Sequence, residues 1–133
     1  MSLIRAIVLV SLLSASGNAL SKCLMVGQLK GWTAKERDSH VFEEDGFSSS
    51  IFYLKFAEEG KDSWMSDSPS VIKIPCANLG VLTCVDQRYG DTILNWAIDS
   101  HGSKVTHTRI YDGTWVFDGV SAMVGEVLGE CKL

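Results

Sequence analysis

The sequence has no cluster of lysines and arginines, no apolar run long enough to cross a bilayer, and none of the compact motifs that carry phosphate, metal or acyl-transfer chemistry. Twelve basic side chains stand against 16 acidic ones, a net charge of −4 with the histidines neutral. Without a basic patch nothing is available to neutralise phosphates, so nucleic acid is a poor partner, and an anionic membrane surface is disfavoured for the same reason. The 12 glycines contain no Gly-x-Gly-x-x-Gly or other phosphate-cradling run. No Gly-x-Ser-x-Gly elbow occurs. No Cys-x-x-Cys or His-x-x-x-His spacing marks a metal site. Glu43, Glu44 and Asp45 precede Gly46, but the alternating ligands of a calcium loop are missing, which places the trio in a solvated turn. No metal and no cofactor is expected.

What is present begins with a leader. Residues 1–19 carry one positive charge, Arg5, then an apolar run from Ala6 to Leu13, then small residues Gly17 and Ala19 before the expected cut after Ala19. That is the three-part layout of a secretory signal peptide, and the run is well short of the ~20 residues that span a bilayer. The expected organisation is therefore a signal peptide over 1–19 and one secreted or periplasmic domain over 20–133, with no membrane span in the mature chain. Arg5 leaves with the leader, so the mature chain holds 11 basic and 16 acidic side chains, a net −5.

All four cysteines, Cys23, Cys76, Cys84 and Cys131, lie after the leader. An even number in an exported chain reads as two disulfides. Three connectivities are possible; the favoured one joins Cys76 to Cys84 across the turn Ala77-Asn78-Leu79-Gly80 and Cys23 to Cys131 across the whole domain. The short loop is worth ~2.5–3 kcal/mol and the long one ~4.7 kcal/mol in the chain-entropy estimate.

The body of the chain is patterned for strands. Cys23 to Glu36 reads as a first strand interrupted by Gly27 and Gly31, glycines that mark a bulge or bend. Ser48 to Ala57 places Phe52, Leu54 and Phe56 on one face, with Ile51, Tyr53 and Lys55 on the other. Val71 to Pro75 and Gly80 to Gln87 read as short strands, and Thr92 to Ile98 alternates with Leu94, Trp96 and Ile98 on one face. Between them Glu58 to Ser70 reads as a polar connection, with Trp64 and Met65 folding back as a lid over an open end of the sheet.

Two turns set the expected register. Asp112-Gly113 is a strong two-residue hairpin signal that would put Tyr111 opposite Thr114, Ile110 opposite Trp115 and His107 opposite Asp118. Ser100-His101-Gly102 fits a three-residue hairpin that would put Asp99 opposite Ser103 and Trp96 opposite Thr106. Together they assign Leu94, Trp96, Ile98, Thr106, Thr108, Ile110, Trp115 and Phe117 to the core face, and Asn95, His107, Arg109, Tyr111 and Asp118 to the outer one. Val120, Met123, Val124, Val127 and Leu128 recur at helical spacing, so a short helix is expected over the tail, with a closing strand as the alternative. The expected fold is all-β and mainly antiparallel: a small meander barrel or two-layer sheet of seven or eight strands with a possible short C-terminal helix.

For function, aromatics are plentiful and catalytic groups are not, which favours a non-enzymatic binding module. One version holds a small apolar or aromatic ligand in the barrel mouth near Trp64, Met65, Trp96 and Trp115. Another contacts an extracytoplasmic protein, as an inhibitor would, through His107, Arg109 and Tyr111 on the outer face. A weak hydrolase using His107 and Asp118 is a third; a cross-strand charge pair worth under ~1 kcal/mol is the plainer account of those two.

Overall fold

The computed structural model describes residues 21–67, 72–88, 90–112 and 119–132. Eight strands follow one another around a closed barrel in which every neighbour is antiparallel. They are β1 (Lys22–Lys35), β2 (Phe42–Phe56), β3 (Ser63–Ser66), β4 (Ile74–Asn78), β5 (Leu82–Asp86), β6 (Asp91–Ile98), β7 (Lys104–Asp112) and β8 (Gly119–Glu130). Closure pairs β8 with both β7 and β1, so the sheet leaves no terminal edge. Among the described residues the one helical element is a 3-10 turn at Glu36–Asp38 between β1 and β2. Among the described residues no helix is long and apolar enough to cross a membrane.

The first two strands form the wall on which the rest is hung. Register slips at Gly27 and Leu29, where Gln28 takes a φ of 54°, so the expected break in β1 is a bulge at that point. The chain reverses at Ser39 and His40, both left-handed (φ 56° and 58°). Glu43, Glu44 and Asp45 therefore lie inside β2, not in the turn expected for them. Gly31 is required by closure: a Cβ there would stand 2.0 Å from the Ala122 carbonyl oxygen on β8.

Leu24, Val26 and Leu29 of β1, Leu54 and Phe56 of β2, Leu82 of β5 and Trp96 of β6 point inward and are buried. The segment expected to be a lid is a strand, because alternation sends Met65 into the core and Trp64 to the outer face, where Lys73 sits 4.6 Å from its ring. Met65 pairs with Leu54 and Ile74, and burial of a flexible apolar side chain between two strands outweighs the polar character of its flanks. The two disulfides join Cys23 to Cys131 and Cys76 to Cys84, the pairing favoured from spacing. The first ties the start of β1 to the end of β8; the second bridges directly paired residues of β4 and β5.

Both registers expected from the turns are overturned, and of the two readings of the tail the closing strand holds. The β6–β7 loop has four residues, 100–103, because Asp99 caps it: its carboxylate accepts hydrogen bonds from the Ser103 amide at 2.8 Å and the Lys104 amide at 3.1 Å. Gly102 does take a left-handed φ of 70°. The extra residue moves β7 by one, so Trp96 pairs with His107 instead of Thr106 and the strand is turned over. Val105, His107, Arg109 and Tyr111 face inward, while Ile110 is 49% exposed. The Asp-Gly hairpin also gives way, since Tyr111 pairs with Gly119 and His107 with Met123, not with Asp118. Local turn preference is worth little against a strand that pairs along its whole length with two neighbours. That same double pairing makes the tail a strand instead of a helix: Ser121, Met123 and Gly125 face in at period two, and a Cβ at Gly125 would meet the Gly27 carbonyl oxygen at 2.5 Å. Trp115, Phe117 and Asp118, and the residues 1–19 expected to form a leader, lie outside the described residues.

Candidate functional site

The inner face changes character along the barrel axis. From the end closed by the Cys23–Cys131 disulfide, β7 presents Val105, then His107, then Arg109, then Tyr111. β8 presents Met123 and then Ser121, and β1 presents Leu29, Gly31 and Thr33. β2 presents Phe47 and Asp45 opposite Leu29 and Gly31. Each strand thus runs from apolar to polar toward the end that carries the β1–β2 hairpin, and period-two alternation brings these residues to one mouth.

Trp96 and His107 form the floor of that mouth. Their rings stack with centroids 3.7 Å apart and planes 18° from parallel, and Phe52 leans on the indole at 5.2 Å. The indole Nε1–H points at the Met65 sulfur, 3.1 Å away. Burial pushes the His107 pKa down to about 4, with nearby Arg109 acting the same way and the Asn95 carbonyl opposing both. A neutral imidazole whose Nδ1 lies 3.0 Å from the Asn95 carbonyl oxygen must carry its proton there and donate it.

Above the floor stands Arg109. Its guanidinium carbon lies 4.1 Å from the centre of the Tyr111 ring and 5.8 Å from that of Phe47, a pair of cation–π contacts. Burial pushes the arginine pKa down and the Tyr111 phenol up. The arginine nonetheless stays a cation, as arginines in proteins do. Two carboxylates stand near enough to act on it, Asp86 and Asp45, and both are engaged elsewhere. Asp45 accepts from the Thr33 hydroxyl at 3.0 Å and from the Gly46 amide at 2.8 Å. Asp86 is gripped by Arg88 through Nε at 3.0 Å and a terminal nitrogen at 2.9 Å, which holds its carboxyl below the usual range. Among the described residues the Arg109 Nε is buried without a hydrogen-bond partner; the Ser121 hydroxyl is buried as well, but it acts on the Tyr111 phenol as a hydrogen-bonding neighbour and partly offsets the effect of burial there. Arg109 and Ser121 are directly paired across β7 and β8.

Outside, an open trough of about 690 Å³ runs over the β1–β2 hairpin, walled by Lys30, Trp32, Glu44 and Ser48 and floored by Gly46. Trp32 is 50% exposed there. Around the same end Phe42, Ala34, Val120, Ile110, Ile93 and Val85 are linked by direct cross-strand pairs into one outward ladder over six strands. All but Ala34 are exposed.

Of the residues singled out from sequence, Met65 and Trp96 meet in the interior and Trp64 stands outside it. Trp115 lies outside the described residues. His107, Arg109 and Tyr111 do come together, but on the inner face, because the β7 register differs by one from that expected. Thr33, Asp45 and Ser121 were missed. Each is a polar residue at an inward position, a signal that period two would have revealed once the register of β1, β2 and β8 was known. Among the described residues no three His, Cys, Asp or Glu side chains converge to hold a metal. Comparison with protein families, curated proteins and solved structures finds no match, so what this barrel does must be argued from the mouth itself.

Proposed function

We propose that this protein is an extracytoplasmic binding module that takes a small ligand with an apolar or aromatic body into the mouth of its barrel. The observation that carries the reading is the change along the inner face, from buried aliphatic side chains to a cluster of Arg109, Tyr111, Ser121, Thr33 and Asp45 above a Trp96–His107 floor. An eight-stranded barrel is just wide enough to be filled by side chains or to hold one small molecule, and polar groups placed at a few inner positions fix a ligand's orientation. The two disulfides fit an oxidising compartment, and the leader over 1–19 supplies the route. Export is tested by sequencing the mature N-terminus, expected at Leu20. Ligand entry is tested by titrating the purified protein with a panel of aromatic probes while following tryptophan emission. A stoichiometric change that is lost in Trp96→Phe supports the reading, and an unresponsive protein opposes it.

A second reading, contact with another protein, is favoured by the ladder from Phe42 to Val85, since a continuous exposed apolar strip on a small domain marks an interaction surface. Pull-down with wild-type protein and with Ile110→Lys/Val120→Lys tests it: a partner lost only in the double variant supports this reading, and equal recovery opposes it.

A further inference from the structure

Among the described residues of the mouth, one buried cationic donor is left without an acceptor. A buried donor left without an acceptor costs about 1–3 kcal/mol, and more when it is charged. Arg109 Nε is such an atom, and Ser121, whose hydroxyl neighbours the Tyr111 phenol, is directly paired with it across β7 and β8. An acceptor brought to Arg109 Nε would satisfy it, and the hydroxyl of the paired Ser121 can turn to donate to the same acceptor. Among the described residues the carboxylates that act on Arg109 are already bound, Asp45 by Thr33 and the Gly46 amide, Asp86 by Arg88. The guanidinium carbon lies 4.1 Å from the centre of the Tyr111 ring, an aromatic contact that leaves its N–H donors to be matched in the guanidinium's own plane. A planar fork of this kind matches a carboxylate, which it can grip through two parallel hydrogen bonds.

We propose that the barrel mouth binds a small organic acid, its carboxylate held by Arg109 with help from Ser121 and its apolar or aromatic body lying beside Phe47 and Tyr111. This rests on the reading of the mouth as a ligand site and adds the charge of the ligand to it. His107 beneath, held neutral, adds no second cation beside Arg109. Asp45 and Asp86 remain close enough to make the site selective for a single negative charge, since a second would be repelled.

The test uses 2-naphthoate and its uncharged counterpart 2-naphthamide, titrated calorimetrically into wild-type protein and Arg109→Gln at neutral pH. In parallel the Arg109 Nε–H resonance of the wild type is followed by NMR. The acid is expected to bind about 10- to 100-fold tighter than the amide, the scale of one charge-assisted hydrogen bond. Arg109→Gln should erase that preference, and the Nε–H signal should move as the acid is added. Equal binding of acid and amide would overturn the carboxylate assignment and leave the ligand site standing. Binding of neither would remove both. Should Arg109→Gln fail to fold, the wild-type resonance decides: an Nε–H signal unmoved by bound naphthoate places the acid elsewhere and overturns the proposal.

Discussion

Trp96 and His107 lie face to face inside the barrel, 3.7 Å between ring centroids, on strands whose direct pairing puts one opposite the other. The contact joins the apolar interior to the polar mouth, and it fixes which way β7 is turned. If His107 faces in, so do Arg109 and Tyr111, two and four residues further along the strand.

The first prediction concerns acid. The His107 pKa falls from 6.5 to about 4 on folding, so between those values the unfolded chain binds the extra proton and the folded one does not. Stability from this residue is complete above pH 6.5 and is lost as pH falls toward 4. The loss is about 3 kcal/mol at most, from the size of the shift. Urea unfolding across that window should show the slope in wild type and a flatter profile in His107→Phe, which keeps a ring on Trp96 and cannot take up a proton.

The disulfides should differ in worth. Replacing Cys23 and Cys131 by serine should cost ~4–5 kcal/mol, and replacing Cys76 and Cys84 ~2.5–3 kcal/mol, because the longer loop restricts the unfolded chain more. Paired denaturation curves of the two double variants give the order directly.

Closure makes a sharper demand on one glycine than on others. Gly31→Ala would drive a methyl into the Ala122 carbonyl and should destabilise by roughly 2–4 kcal/mol, with rapid amide exchange along β1 and β8. Gly60→Ala meets no neighbour and suffers only from its φ of 81°, so about 1 kcal/mol is expected. Thermal melts of the two variants separate these costs.

The lid expectation has its own check. Met65 is 3% exposed and should lose about 2–4 kcal/mol as Met65→Ala, whereas Trp64→Ala, on the outer face, should lose clearly less. Equal losses would argue against the alternation that makes 63–66 a strand.

Much of this architecture can be read from the residues, and the failures share a cause. The strand around Leu54 and Phe56 and the inward face of Leu94 and Trp96 follow from period two alone, because alternation is a property of the strand itself. Facing across a turn is a different matter. Asp99 can cap a three- or a four-residue loop, and the choice, made by hydrogen bonds to Ser103 and Lys104, inverts all of β7. For that reason the turn alone puts Arg109 outside, whereas the paired strand puts it in the mouth. The tail carries Val120, Met123, Val124 and Val127 at a spacing that suits a helix as well as a strand. The need of β1 and β7 for a common neighbour, which no local pattern encodes, decides between them.

The most direct test of the account is the NMR signature of the His107 ring. An inward-facing imidazole under the Trp96 indole should show ring protons shifted upfield, nuclear Overhauser contacts to the indole, and a titration midpoint of about 4. A His107 with no contact to Trp96 that titrates at its ordinary 6.5 would turn β7 over, put Arg109 on the outside and remove the proposed site.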